Sequence, residues 1–177
     1  GLSNTTSPFS FLSNAIMKHY KLNTTFQSVL ADTITPVSVY LKIRDKFPNS
    51  ILLESSDYHA SDNSFSYICC NPLAFIKLEN NSLTQSFPDG KTTVGTVTPE
   101  TDIIRELATF VKQFKPEPNP FKFINNGLFG YIGYDAVRYF DKINISKKDG
   151  DLTLPDLYYA VYQNIIAINH FKNEAYI

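Results

Sequence analysis

The sequence predicts an α+β fold dominated by antiparallel sheet with flanking helices, and three stretches carry that prediction. Two runs of strand length, 73–79 and 82–87, are joined by Asn80-Asn81, residues that tolerate the left-handed backbone of a tight hairpin turn. Residues 99–114 set Ile103, Ile104, Leu107, Phe110, Val111 and Phe114 along one stripe of a helix. Residues 157–170 are apolar or aromatic on both parities, the pattern of a strand covered on both faces.

Composition bounds the function classes. With 177 residues, 43% hydrophobic and 19% charged, the chain can bury a core without metal or disulfide staples. Sixteen basic against 17 acidic side chains leave a net charge of -1, with no electrostatic footprint for nucleic acid or an anionic membrane, so neither is expected as a partner. Cys69 and Cys70 are adjacent, point to opposite faces of a strand and do not easily bridge, which implies a reducing, cytoplasmic setting. Residues 1–16 are polar, irregular and precede the only methionine, Met17, so they are read as an added or disordered leader to a domain over 17–177.

Thr35 and Pro36 open a helix running to Phe47, with apolar residues at 37, 40, 41, 43 and 47. Pro48-Asn49 ends it, 50–55 is a short apolar strand, 56–63 a polar loop and 65–70 the next strand. After the 99–114 helix, three alternate prolines make 115–120 an extended connector. Residues 127–141 hold three of the 7 glycines and five aromatic rings, and read as a strand running into a short helix, with the glycines for close packing. The 157–170 strand turns at Lys172-Asn173-Glu174 into a return strand only three residues long. A long apolar strand with so short a partner would be left largely unpaired, which predicts that the chain is the front part of a longer polypeptide.

Most catalytic patterns are missing. His19, His59 and His170 lie in separate segments with no Cys or carboxylate at ligand spacing, so no metal site is expected. No serine sits in a nucleophile elbow, and Cys69-Cys70 has no His or Lys beside it to lower a thiol pKa. Gly127, Gly130 and Gly133 do not match the dinucleotide fingerprint. One run stands out. In Leu52-Leu53-Glu54-Ser55 an apolar strand delivers a carboxylate and a hydroxyl at its end, where a charge must be solvated, paired or bound. Alternation puts Ser55 with Leu53 and Ile51 on one face and Glu54 with Leu52 on the other. A small amphiphilic ligand suits that end, its ammonium near the carboxylate and its ring on the leucines.

The 35–42 run Thr-Pro-Val-Ser-Val-Tyr-Leu-Lys, then Leu52-Leu53-Glu54-Ser55, then 127–141, Pro155-Asp156 and Asn169-His170 together resemble the N-terminal domain of anthranilate synthase component I, over about 17–177. The glycine-rich motif is shared with other chorismate-using synthases, while the first two runs favour anthranilate synthase over aminodeoxychorismate synthase. The resemblance implies an α+β sandwich of antiparallel sheets. It also implies a parent lyase making anthranilate and pyruvate from chorismate and glutamine-derived ammonia, with Mg²⁺ in a C-terminal chorismate-binding domain. This chain alone is then noncatalytic and without cofactor, and its partners are that domain, the glutamine amidotransferase subunit (component II) and L-tryptophan as feedback ligand. Carried over, the tryptophan site takes in Leu53, Glu54 and Ser55, with Ser55 first, and Ser64. Ser64 stands where relatives commonly have a basic residue, and supplies only a neutral hydrogen bond to the ligand carboxylate. Asn169 replaces the usual aspartate before the late histidine. The other readings are the same domain of aminodeoxychorismate synthase, in folate synthesis, and a free-standing assembly scaffold.

Overall fold

A computed structural model describes residues 18–54, 64–121, 123–141 and 154–177. The leader expected over 1–16 lies outside them. The described residues form two compact units, one drawn from 21–74, 116–130 and 160–177 and the other from 18–20, 75–115 and 131–159. Two long strands, β4 (Phe65–Glu79) and β9 (Leu157–Asn169), contribute residues to both. The class is α+β with antiparallel pairing, as the sequence predicts. Among the described residues, no helix is long and apolar enough to cross a membrane.

In the first unit, helix α1 (Pro36–Ile43) begins with a reciprocal capping box. The Ser38 N–H donates to Thr35 Oγ1 at 3.1 Å and the Thr35 N–H to Ser38 Oγ at 3.2 Å. The helix stops short of the predicted Phe47. The Lys46 and Phe47 N–H groups both close on the Ile43 carbonyl at 2.9 Å, and Asn49 at φ 61° turns the chain into β3 (Ile51–Leu53). The buried stripe also differs from the predicted one. Val39, Tyr40 and Ile43 pack on the core of Ala31, Ile68, Ile168 and Ala175, whereas Val37 and Leu41 are exposed.

The sheet beneath α1 runs β2 (Ser28–Leu30), β10 (Glu174–Tyr176), β9 and β4, with β3 also on β4. β10 therefore has β9 on one edge and β2 on the other, in the register Ala175↔Val29 and Ala175↔Ile168. β9, expected to be largely unpaired, is flanked by β10 and β4. No local pattern in the sequence marks a strand over 28–30, and β2 is short, with two of its three residues exposed. β9 is buried on both parities over residues 160–162 and 167–169 but surfaces at Gln163 and Asn164.

In the second unit β4 continues into the predicted hairpin, turned by Asn80 and Asn81 at φ 50° and 59°, with Leu78 opposite Leu83 in β5 (Ser82–Ser86). β5 then pairs with β6 (Thr92–Thr96), a strand that no local apolar pattern marks in the sequence. Helix α2 (Ile103–Val111) is shorter than the predicted 99–114, because Asp102 caps it through its carboxylate on the Arg105 N–H at 3.0 Å. Phe114 is not helical. It belongs to β7 (Phe114–Pro116), which pairs with β1 (Tyr20–Leu22), and its ring joins those of Phe110, Phe87 and Tyr20 at centroid spacings of 5.2–5.9 Å.

The glycine-rich motif is β8 (Phe129–Ile132) followed by a 3-10 helix (Tyr134–Tyr139), so strand into short helix is what forms. Gly133 donates its N–H to the Asp156 carbonyl at 2.8 Å, and the Asp156 N–H donates to the Leu78 carbonyl at 2.8 Å. The Asp156 carboxylate receives Arg138 Nη2 at 2.6 Å and lies 3.1 Å from the Tyr139 hydroxyl. Close packing is not what all the glycines serve. Gly127 sits at φ 130° with open space where a side chain would go, so backbone conformation requires it. At Gly133 an added Cβ would lie 3.4 Å from the Asp156 carbonyl oxygen, an ordinary contact.

Candidate functional site

β3 pairs antiparallel with β4, Ile51 with Cys69, Leu52 with Ile68 and Leu53 with Tyr67. Directly opposed residues share a face, so the pleat sorts the candidate residues into two groups. Leu52 goes with Ile68 into the core under α1. Leu53, 36% exposed, goes with Tyr67 to the other face, where the Tyr67 ring stands 6.2 Å from Phe65 and 6.0 Å from Phe129. Burial pushes the Tyr67 phenol pKa up, and its oxygen accepts the Ile124 N–H at 3.3 Å. Glu54 follows directly and is exposed, and Ser64 stands just before β4, half-buried. Ser55 lies outside the described residues. Of the sequence-predicted positions, Leu53, Glu54 and Ser64 are thus brought to one end of the β3–β4 pair, with Leu53 and Glu54 on opposite faces.

Two residues not singled out as site residues join them. Ser66 is fully buried, and its Oγ lies 2.7 Å from Nε2 of His170 at the end of β9. The His170 N–H donates to the Ser64 carbonyl at 3.1 Å. In the sequence His170 is legible only as a candidate metal ligand and as part of a family pattern. The available signal was a lone serine between Phe65 and Tyr67, in a strand whose parity buries it and so demands a partner. Asn169 has a different task. Buried to 3% exposure, its Oδ1 accepts the Phe171 and Lys172 N–H groups at 2.9 and 3.0 Å and shapes the β9–β10 turn.

The same unit contains an open cavity of about 720 Å³. Thr24, Phe26, Phe123, Gln163, Asn164 and Tyr176 are among its lining, which includes Lys21 but, among the described residues, no Asp or Glu side chain. Such a lining offers carboxamides and rings but no acid–base pair. The cysteines offer no nucleophile either. Burial, aided by the neighbouring Cys70, pushes the Cys69 thiol up to about 12, and burial also raises Cys70 against a hydrogen bond with Asn164 that lowers it. Both are free and buried.

No protein-family model matches the chain. It is 30% identical over 156 residues to anthranilate synthase component 1 of Lactococcus lactis, covering 84% of this chain and 30% of that protein. With the Thermus thermophilus component 1 it shares 34% identity over 151 residues, 83% of this chain and 30% of the relative. With the Mycolicibacterium smegmatis component 1 it shares 28% over 173 residues, 97% of this chain and 32% of the relative. Among solved structures it is similar to anthranilate synthase component I of Streptococcus pneumoniae, at 24% identity and a TM-score of 0.48, over 83% of this chain and 30% of that one. The chain thus spans about 30% of the length of the relatives it matches.

Proposed function

This chain is homologous to anthranilate synthase component I, and on that footing we propose that it is a noncatalytic regulatory segment of such a protein, over residues 17–177, contributing to a feedback site for L-tryptophan. The parent enzyme converts chorismate and glutamine-derived ammonia to anthranilate and pyruvate in tryptophan biosynthesis. Its Mg²⁺-dependent chemistry belongs to a chorismate-binding domain outside this chain, and a component II amidotransferase supplies the ammonia. The observation that carries the reading is the end of β3. There an apolar strand gives way to the exposed carboxylate of Glu54, at the same end of the β3–β4 pair as Ser64 and at the run that resembles the family's feedback segment. Glu54 takes the ligand ammonium on one face of the strand end, Leu53 offers apolar surface for the indole where the ligand wraps round that end to the other face, and Ser55 and Ser64 supply neutral hydrogen bonds.

The test is Ser55→Phe in the component I protein that contains this chain. Tryptophan inhibition of anthranilate formation is lost while uninhibited turnover is kept. Inhibition that persists in the variant removes Ser55 from the site. The product also matters, because aminodeoxychorismate in place of anthranilate would assign the segment to folate synthesis.

A further inference from the structure

An α-amino acid brings a carboxylate as well as an ammonium, and Ser64 offers that carboxylate only a neutral partner. Across β3, β4 and β9 the side chains form rows on the face that carries α1. Leu52, Ile68 and Ile168 make one apolar row in the core under the helix. Two residues further along each strand, the same alternation gives a polar row of Glu54, Ser66 and His170. Ser66 is its closed centre, fully buried and satisfied by His170 Nε2 at 2.7 Å. The two ends of the row, Glu54 and His170, are exposed.

We infer that His170 holds the carboxylate of an α-amino acid whose ammonium is held by Glu54, an inference that rests on the proposed feedback site. The Ser66 hydroxyl and His170 Nε2 share a hydrogen bond whose direction depends on the ring tautomer, and with Ser66 as the donor the ring carries its proton on Nδ1. That Nδ1–H then donates to the ligand. Strands two apart in a sheet are separated by about 10 Å, a gap that a Glu and a His side chain at its two sides and one α-amino acid between their exposed ends can span. Ser66 is a positioning residue here and His170 a binding one.

The experiment compares L-tryptophan with L-tryptophanamide, which keeps the ammonium and indole but has no carboxylate. Titration of the chain gives the ratio of the two affinities. Wild type prefers L-tryptophan by about tenfold, the value of one hydrogen bond to a charged group. His170→Gln, which leaves a hydrogen-bonding side chain for Ser66, brings the ratio to about one. Ser66→Ala lowers it partway by freeing the tautomer. Because each ratio is taken within one protein, partial unfolding of a variant does not mimic the result. Wild type that binds both ligands with a ratio unchanged in His170→Gln overturns the role of His170 and leaves the feedback reading standing. Wild type that binds neither overturns both.

Discussion

Arg138→Ala tests whether the end of the glycine-rich motif is held by its ion pair. Arg138 Nη2 lies 2.6 Å from Asp156 Oδ2, with side-chain exposures of 19% and 7%. The same nitrogen donates to the Tyr139 hydroxyl at 3.0 Å, and the guanidinium stands 4.8 Å from the Tyr139 ring centroid. Removing one partner of a fully buried pair costs about 3–5 kcal/mol, because the other charge is left uncompensated. Asp156 keeps the Tyr139 hydroxyl at 3.1 Å, and the partial exposure of Arg138 lets water in, so about 2–3 kcal/mol is expected. For a chain of this size that is a drop of about 5–10 °C in Tm. Urea titrations of Arg138→Ala, Asp156→Ala and the double variant measure the coupling, and the double variant should lose far less than the sum of the singles. A single variant within about 0.5 kcal/mol of wild type refutes the reasoning, since exposed pairs behave that way.

Gly127→Ala should destabilise by about 1–3 kcal/mol through its φ of 130° alone, whereas Gly133→Ala, facing an ordinary 3.4 Å contact, stays within about 1 kcal/mol, both read by thermal melts. Both thiols should resist a disulfide reagent at neutral pH and react once urea exposes them, since burial holds Cys69 at about 12. A thiol whose folded pKa is raised keeps its full contribution to stability below its ordinary value of 9.0. That contribution is lost as the pH rises toward about 12, so alkaline titration followed by circular dichroism should show unfolding across that window. Asn169→Ala should cost about 1–2 kcal/mol by orphaning the Phe171 and Lys172 N–H groups, while Asn169→Asp keeps both acceptor bonds and melts near wild type.

What the sequence revealed depends on whether a signal was local. The Asn80-Asn81 hairpin, the Thr35 cap and the apolar parity of β9 are written in neighbouring residues, and each formed as expected except that β9 surfaces at Gln163 and Asn164. Strands held mainly by their partners were invisible. β6 carries one large apolar side chain, Val94, and exposes it at 69%; its order comes from pairing with β5. Asn71-Pro72 looked like a break between strands, yet β4 passes through it with Asn71 at φ 61° and its side chain hydrogen-bonded to Gln163. The stripe through 99–114 counted Phe114 as helical because an aromatic at that spacing fits a helix as well as the start of β7. At the site, Leu53, Glu54 and Ser64 were readable from one strand end and one resemblance. The Ser66–His170 contact joins positions 104 apart in the chain, and nothing short of the sheet order places them together.

Titrating the chain with L-tryptophan tests the central claim most directly. With no tryptophan among its 177 residues, the ligand's indole fluorescence can be read against tyrosine alone. The account predicts saturable binding with one site per chain. Its affinity should lie roughly two orders below that of a complete site, if a wall outside the chain supplies about 3 kcal/mol, and Glu54→Gln should weaken it about tenfold. Absence of saturable binding up to millimolar ligand, or binding that Glu54→Gln leaves unchanged, contradicts it.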